Sequence, residues 1–314
     1  MIYNTQTTIL SDENEYIPWI QLVNPTDEEI ESILKEYNMP RDFITSGLDK
    51  DERSRYEIFD DKMENGFLLT VFLYPIIRTN SQTMDYYDTL PLSIVVADDV
   101  IITTSLETPS VLQQMAAIPD QVEKQFTSSF SWLLHLLWLI SKDYIGYLKE
   151  IRTLLEDLEV QALSSTDNGV LYQIIGIDKA LIYFETAIEG NAYILSEIES
   201  ETEIADMNDE QSEILRDVQI EHGQAANLVE QYIKIADKLS DALNNVINTN
   251  MNVIMKRLTD WTILLTIPTI IGGMWGMNII LPLTEHPHGF TIISVVTIII
   301  CILVYQWLKK QNYW

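Results

Sequence analysis

The sequence predicts an α+β domain that leads into a long stalk helix and ends in two transmembrane helices. Three observations carry this prediction. The first 125 residues contain several strand-like segments and the start of a helix. Apolar residues then recur at helical spacing, and two long uncharged segments lie near the C-terminus. A chain of 314 residues has room for such a multi-domain arrangement.

The predicted domains follow one another along the chain, with the membrane segments last. They are a cytoplasmic α/β domain (1–125), a cytoplasmic helical hairpin with the long stalk helix (126–258), a first transmembrane helix (259–283), an outer loop (284–289), a second transmembrane helix (290–308) and a basic cytoplasmic tail (309–314).

Acidic residues are concentrated before the membrane segments. The net charge is −28, and all but two of the 47 Asp and Glu residues precede residue 256. Nucleic-acid phosphates need basic partners, so the acidic composition argues against nucleic acid as a ligand. It suits either the binding of cations or simple solubility. The sequence has no nucleophile elbow and no phosphate-binding glycine loop, so we expect no enzyme activity.

The first domain carries signals for both helices and strands. Thr26, followed three positions later by Glu29, has the spacing of a capping box and predicts a helix start. β-Branched and aromatic residues predict strands in four places: 56–60, 67–74, 92–97 and 100–104. The last two strands are separated by a tight acidic turn. The first domain is therefore a small sheet with helices.

Helical periodicity begins near residue 121 and continues towards the membrane. Helices are predicted at 128–163 and 171–199, with a break at Asn168 and Gly169. A third helix starts near Asp209 and meets no proline until Pro268. A helix of roughly 65 residues would measure about 100 Å, so it implies an oligomer or a rod that enters the membrane.

Two uncharged segments, 261–283 and 290–308, are each long enough to cross a bilayer, since about 20 apolar residues span the hydrocarbon core. The outer loop has no Lys or Arg, whereas basic pairs flank the segments on the other side: Lys256 with Arg257, and Lys309 with Lys310. The positive-inside rule then predicts a multi-pass protein of the cell membrane with both termini in the cytoplasm. Two buried helices of a water-soluble protein are the less favoured alternative.

Polar and small residues follow one face of the predicted long helix. This polar stripe consists of Asp241, Asn245, Asn248, Asn252, Met255, Thr259, Thr262, Thr266, Thr269 and Gly273. The spacing alternates between four and three, which keeps all ten residues on one side. A dry helix–helix contact would tolerate the threonines. The asparagines favour a water-filled path instead, and only an oligomer of such helices could enclose one.

The C-terminal pattern resembles that of a known family. Gly276-Met277-Asn278 stands at the outer end of the first of two C-terminal membrane segments, and an acidic helical hairpin precedes the long helix. Over essentially its whole length the chain resembles the CorA magnesium transporters. The resemblance implies a funnel-shaped homopentamer embedded in the lipid bilayer, with the first membrane helix lining the pore and the second packed outside it.

The resemblance also implies roles for single residues in the pore. Gly276, Met277 and Asn278 form the selectivity filter, in which a ring of Asn278 amide oxygens holds the hydrated ion. Met255 and Leu258 form a hydrophobic gate near the inner membrane face. The remaining residues of the polar stripe line the pore between the filter and its cytoplasmic end.

The resemblance further implies control by cytoplasmic metal. Asp217 matches a position used in regulatory metal sites between neighbouring subunits. The residue that would bind the metal together with Asp217 is one of four candidates: Asp85, Asp88, Asp98 and Asp99. Mg²⁺ is then both the substrate and the regulatory ligand, and bound divalent ions hold the pore closed until their cytoplasmic concentration falls.

The predicted function is a channel-like transporter of divalent cations, Mg²⁺ with Co²⁺ and Ni²⁺ as further candidates, driven by the membrane potential. Mg²⁺ sheds its waters reluctantly, and neutral oxygens can bind that shell without removing it.

The sequence departs from the usual family pattern in two places: Trp275 stands where the family usually has Tyr, and the loop has one Glu (Glu285) and two His (His286, His288). A Zn²⁺ transporter of the ZntB type and a non-conducting membrane-anchored metal sensor or scaffold remain alternatives.

Overall fold

The computed structural model describes residues 2–5, 17–60, 66–79, 85–97, 99–116, 126, 128–164, 168–202, 207–277 and 287–310. The chain divides into two compact units, Met1–Ser240 and Asp241–Trp314. The first unit holds a sheet and most of the helices. The second contains the C-terminal part of the longest helix and one further helix.

The described strands form one mixed sheet in the first unit. Its strands are β1 (Ile2–Thr5), β2 (Trp19–Val23), β3 (Arg55–Asp60), β4 (Gly66–Thr79), β5 (Asp85–Val96) and β6 (Ile101–Ser105), in the spatial order β1-β2-β6-β5-β4-β3. Only β2 and β6 pair in parallel, and the other neighbours are antiparallel. The four predicted strands are confirmed as β3 to β6. β1 and β2 were not predicted.

Helices cover the sheet and then extend towards the C-terminus. They are α1 (Asp27–Tyr37), α2 (Arg41–Thr45) with a 3₁₀ turn at Ser46–Leu48, α3 (Ser110–Ala116), α4 (Ser129–Ser164), α5 (Asn168–Thr202), α6 (Asp209–Trp275) and α7 (Gly289–Lys310). The predicted capping box is confirmed, because Thr26 N donates to Glu29 Oε2 at 2.8 Å and Glu29 N donates to Thr26 Oγ1 at 3.3 Å. The long helix is also confirmed, since α6 has 67 residues and continues through Pro268.

Asn191 of α5 joins this helix to strand β4. β3 begins opposite Val71, so Leu73 lies beyond the end of that pairing. The Asn191 side chain takes the place of a strand there: it accepts from Leu73 N at 3.0 Å and donates to Leu73 O at 2.8 Å. It also accepts from Ser54 Oγ at 2.8 Å. Both backbone groups of the half-buried Leu73 are thereby satisfied.

In the second unit, α7 is the one helix among the described residues that is long and apolar enough to cross a membrane by itself. The structure describes only part of the predicted first membrane span, 261–283. Its residues up to Trp275 form the end of α6, and residues 278–283 lie outside the described part of the chain. The pair of membrane helices therefore stays a prediction at this point.

His222, on the first half of α6, connects three helices of the first unit. Its ring is buried, with Nε2 at 2.8 Å from Ile188 O of α5 and Nδ1 at 3.1 Å from Ser141 Oγ of α4. A carbonyl only accepts, so Nε2 carries the proton of the neutral ring. Burial lowers the pKa of His222, and the hydrogen bond to Ile188 only partly opposes this effect.

Acidification should weaken the packing around His222. Because its pKa is lower in the folded than in the unfolded chain, its contribution to stability is complete above about pH 6.5, the unfolded value, and decreases as the pH falls below it. We expect His222→Phe to be less stable than wild type at pH 8, with a smaller difference at pH 5. Thermal unfolding of both proteins in detergent measures this, and a difference that is constant with pH would contradict it.

Candidate functional site

Between residues 257 and 277, the described part of α6 has one covered face. Every residue there that is not exposed belongs to a single row: Asp260, Leu264, Ile267, Ile271 and Trp275. The spacing of four, three, four and four places this row on one side of the helix. Most of these residues line the space against α7, and Cys301 Sγ of α7 lies 3.9 Å from Leu264 O. The row is therefore the α7-facing side of α6.

Pro268 explains the contact between Cys301 and Leu264. A proline lacks the N–H that would bond the carbonyl four residues earlier, which here is Leu264 O. The Cys301 thiol supplies a weak donor at that position. Sequence analysis missed this contact, although a proline inside an apolar segment signals a carbonyl that needs another donor.

The polar stripe lies on the opposite side of the helix. All ten predicted residues are exposed in the chain, from Asp241 to Gly273, and Met255 and Leu258 are 53% and 59% exposed. Successive residues of an α-helix are 100° apart, so the stripe residues from Thr259 to Gly273 and the α7-facing row are about 160° apart around the axis. The structure thus keeps the predicted pore-lining residues together on one uncovered face.

The four threonines of the stripe all bond their own helix. The Oγ1 hydroxyls of Thr259, Thr262, Thr266 and Thr269 donate to the carbonyls of Met255, Leu258, Thr262 and Leu265 at 2.7–2.9 Å. The single hydroxyl proton is thereby used, and the oxygen keeps lone pairs that can only accept. Water molecules bound to a cation point their hydrogens outward, so such a row of acceptors suits a hydrated cation.

The end of α6 leads into the predicted filter. Gly276 N donates to Gly272 O at 3.0 Å, and Met277 N donates to Met274 O at 3.4 Å, so the last turn tightens. Met277 is 58% exposed. No described glycine has a positive φ, and a Cβ on Gly276 would meet Gly272 O only at 3.4 Å. The local backbone therefore does not require glycine at this position.

Several predicted residues lie outside the described part of the chain. These are Asn278 of the filter, Glu285 and His286 of the loop, and Asp98. His288 is described and exposed, as are Lys309 and Lys310, which form the last turn of α7.

The predicted regulatory carboxylates are not brought together within the described residues. Asp217 is exposed on α6, and Asp99 is exposed as well. Asp88 forms an ion pair with Arg78, with Nη1 and Oδ2 3.1 Å apart. No group of three or more His, Cys, Asp or Glu side chains that could hold a metal occurs among the described residues.

The chain matches a family model and several known proteins over most of its length. The family model is that of the CorA-like Mg²⁺ transporter protein, and it matches residues 14–310. A curated relative, the cobalt/magnesium transport protein CorA of Methanocaldococcus jannaschii, is 25% identical over 309 residues, which cover 97% of this chain and 93% of the relative.

Two solved structures show the same fold. The complete CorA magnesium transporter of M. jannaschii superposes with a TM-score of 0.80 at 23% identity, covering all of this chain and 98% of that one. The ZntB cytoplasmic domain of Vibrio parahaemolyticus has a TM-score of 0.58 at 18% identity, covering 77% of this chain and 91% of that one. Fold and sequence together define the class as a membrane transport protein. The chain belongs to the CorA-like Mg²⁺ transporter family.

The assignment of the two faces of α6 can be tested with the native thiol of Cys301. In Leu264→Cys, the new thiol should lie beside Cys301 and form an intramolecular disulfide on mild oxidation. In the matched variant Thr266→Cys, the thiol lies on the polar stripe and should not pair with Cys301 of the same chain. Non-reducing gels with thiol counting measure both, and equal pairing in the two variants would contradict the assignment.

Proposed function

We propose that the chain transports Mg²⁺ across the cell membrane through a homopentameric pore lined by α6, with Co²⁺ and Ni²⁺ as further cargo. The observation that carries the proposal is the uncovered polar stripe on the face of α6 opposite α7. The membrane potential drives entry, since a charge gains about 2.3 kcal/mol per 100 mV and a divalent ion gains twice as much.

The stripe requires several copies of the chain. One helix presents one row of acceptors, and α6 with α7 cannot surround an aqueous path. In a cyclic assembly about the membrane normal, each stripe residue becomes a ring, and the α7-facing row turns outward. The rings run from Asp241, through the asparagines and threonines, to Gly273. In this arrangement α7 is a second membrane helix outside the pore, with both termini in the cytoplasm and the cytoplasmic body forming a funnel.

The filter and the gate use different chemistry. At the outer mouth, Gly276 and Met277 shape the turn and Asn278 presents neutral amide oxygens to the hydrated ion. Mg²⁺ keeps its water shell more readily than it exchanges it, so neutral acceptors can select the shell without binding the ion too tightly. Met255 and Leu258 are adjacent on α6 and exposed on the stripe side. Rings of these apolar side chains would close the path by dewetting.

Cytoplasmic Mg²⁺ regulates this gate in the proposal. Asp217 is exposed on the first half of α6, where a carboxylate from a neighbouring copy could share a divalent ion with it. Bound ions would bridge like-charged surfaces between subunits and favour the closed pore. When cytoplasmic Mg²⁺ falls, the acidic surfaces repel and the closed state loses that stabilisation.

Mg²⁺ influx into proteoliposomes tests the role of the stripe. Thr266→Val keeps the shape of the side chain and removes an acceptor from every subunit. Loss of even one hydrogen bond of about 1 kcal/mol corresponds to a roughly fivefold change, so we expect influx to fall at least about fivefold. The matched control is Thr297→Val on α7, whose hydroxyl also donates to its own helix, to Ile293 O at 2.8 Å, and which faces α6. It should conduct like wild type.

The same assay separates the proposal from its alternatives. Asn278→Ala should lower Mg²⁺ influx at least as strongly as Thr266→Val, because it removes the proposed filter oxygens. Influx that is equal in wild type, Thr266→Val and Asn278→Ala would reject the stripe and the filter. Wild-type protein that carries Zn²⁺ but not Mg²⁺ would favour a Zn²⁺ transporter, and absence of any divalent influx would favour a scaffold or sensor.

A further inference from the structure

A large cavity lies between α6 and α7, on the side of α6 away from the polar stripe. Its volume is about 1280 Å³, and its walls are mostly apolar. Asp260 and Tyr305 line one end, and Trp275 with Pro287 lines the other. Trp275 lies 15 positions after Asp260, which corresponds to about 22 Å along the helix and is longer than one leaflet of a hydrocarbon core of roughly 30 Å.

Asp260 places a buried carboxylate at one end of this apolar cavity. The residue is only 5% exposed, and its Oδ2 accepts no hydrogen bond from the described residues. A buried carboxylate without a partner costs free energy that a donor or a cation would recover. A positively charged or hydrogen-bond-donating group beside Asp260 would therefore stabilise the carboxylate.

The position of Asp260 along α6 indicates where that group comes from. Lys256 and Arg257 are exposed one turn earlier, which is about 6 Å along the axis. On α7, Tyr305 at the same end of the cavity precedes the exposed pair Lys309 and Lys310 by about the same distance. In the proposed topology these basic residues mark the inner membrane surface, so Asp260 lies at the depth of lipid headgroups.

We propose that the cavity binds an inner-leaflet phospholipid with a primary ammonium headgroup. The ammonium donates to Asp260 Oδ2, and an acyl chain fills the apolar length of the cavity towards Trp275. This site lies outside the pore, and the inference rests on the proposed placement of α6 and α7 in the membrane.

The chemistry of the cavity favours this ligand over other cations. A divalent metal takes six or more oxygens, and Asp260 is the single carboxylate among the cavity's described residues. An ethanolamine headgroup brings three N–H donors and an apolar tail on one molecule, which matches a single carboxylate at the end of an apolar groove. A choline headgroup has no N–H to donate, so it should bind less well.

Native mass spectrometry of the full-length protein in detergent tests the site. The probes are palmitoyl-oleoyl phosphatidylethanolamine, phosphatidylcholine and phosphatidylglycerol, added in equal amounts. We expect wild type to retain phosphatidylethanolamine about tenfold more than phosphatidylcholine, a factor typical of a charge-assisted hydrogen bond. Asp260→Asn, which keeps the shape and removes the charge, should abolish the preference. Thr297→Val, in the same cavity wall, should keep it.

A second variant tests the acyl chain separately. Ser294 lines the cavity, and Ser294→Phe should fill part of it and lower the retention of all three lipids while the oligomer mass stays unchanged. The proposal is overturned if wild type shows no preference for phosphatidylethanolamine, or if Asp260→Asn keeps that preference. It is also overturned if Asp260→Asn changes only the oligomer distribution, because a neighbouring copy then supplies the partner of Asp260. Failure of Mg²⁺ influx with an intact lipid preference would reject the pore alone.

Discussion

The arrangement of the second unit depends on the contact between α7 and one face of α6. Asp260, Leu264, Ile267, Ile271 and Trp275 form the covered row, and the Cys301 thiol lies against the Leu264 carbonyl that Pro268 leaves without its helical donor. Once this face is covered, the rotation of α6 about its axis is set. The threonines and asparagines are then left on the other side, with their acceptor oxygens uncovered.

Hydrogen-bond satisfaction explains both faces of α6. A membrane offers few partners to backbone and hydroxyl groups, so these groups must be satisfied within the protein or by water. The hydroxyl groups of the stripe threonines donate to carbonyls of their own helix, so their donors are satisfied without water. The same oxygens can still accept hydrogen bonds from the water shell of an ion. Asp260 differs from the threonines, because its Oδ2 has no hydrogen-bond partner among the described residues.

Local and periodic signals in the sequence were sufficient for much of the fold. The capping box at Thr26, the strands β3 to β6 and the 67-residue helix α6 were predictable because their residues interact with near neighbours in the chain. β2 was missed because five residues form too short an apolar segment to distinguish from a turn. Burial of Asp260 depends on the packing of α7, so it does not follow from spacing alone. The four carboxylates that were candidate partners of Asp217 could not be ranked, because they are distant from it in the sequence.

Accessibility of the two faces of α6 to an aqueous thiol reagent tests the central claim most directly. In a Cys301→Ser background, a single cysteine at Thr266 on the polar stripe is compared with a single cysteine at Ile271 on the α7-facing row, in proteoliposomes that take up Mg²⁺. A charged methanethiosulfonate should modify the cysteine at 266 and block influx, and it should leave the cysteine at 271 unmodified. Rapid modification at 271 with protection at 266 would contradict a pore lined by the polar stripe.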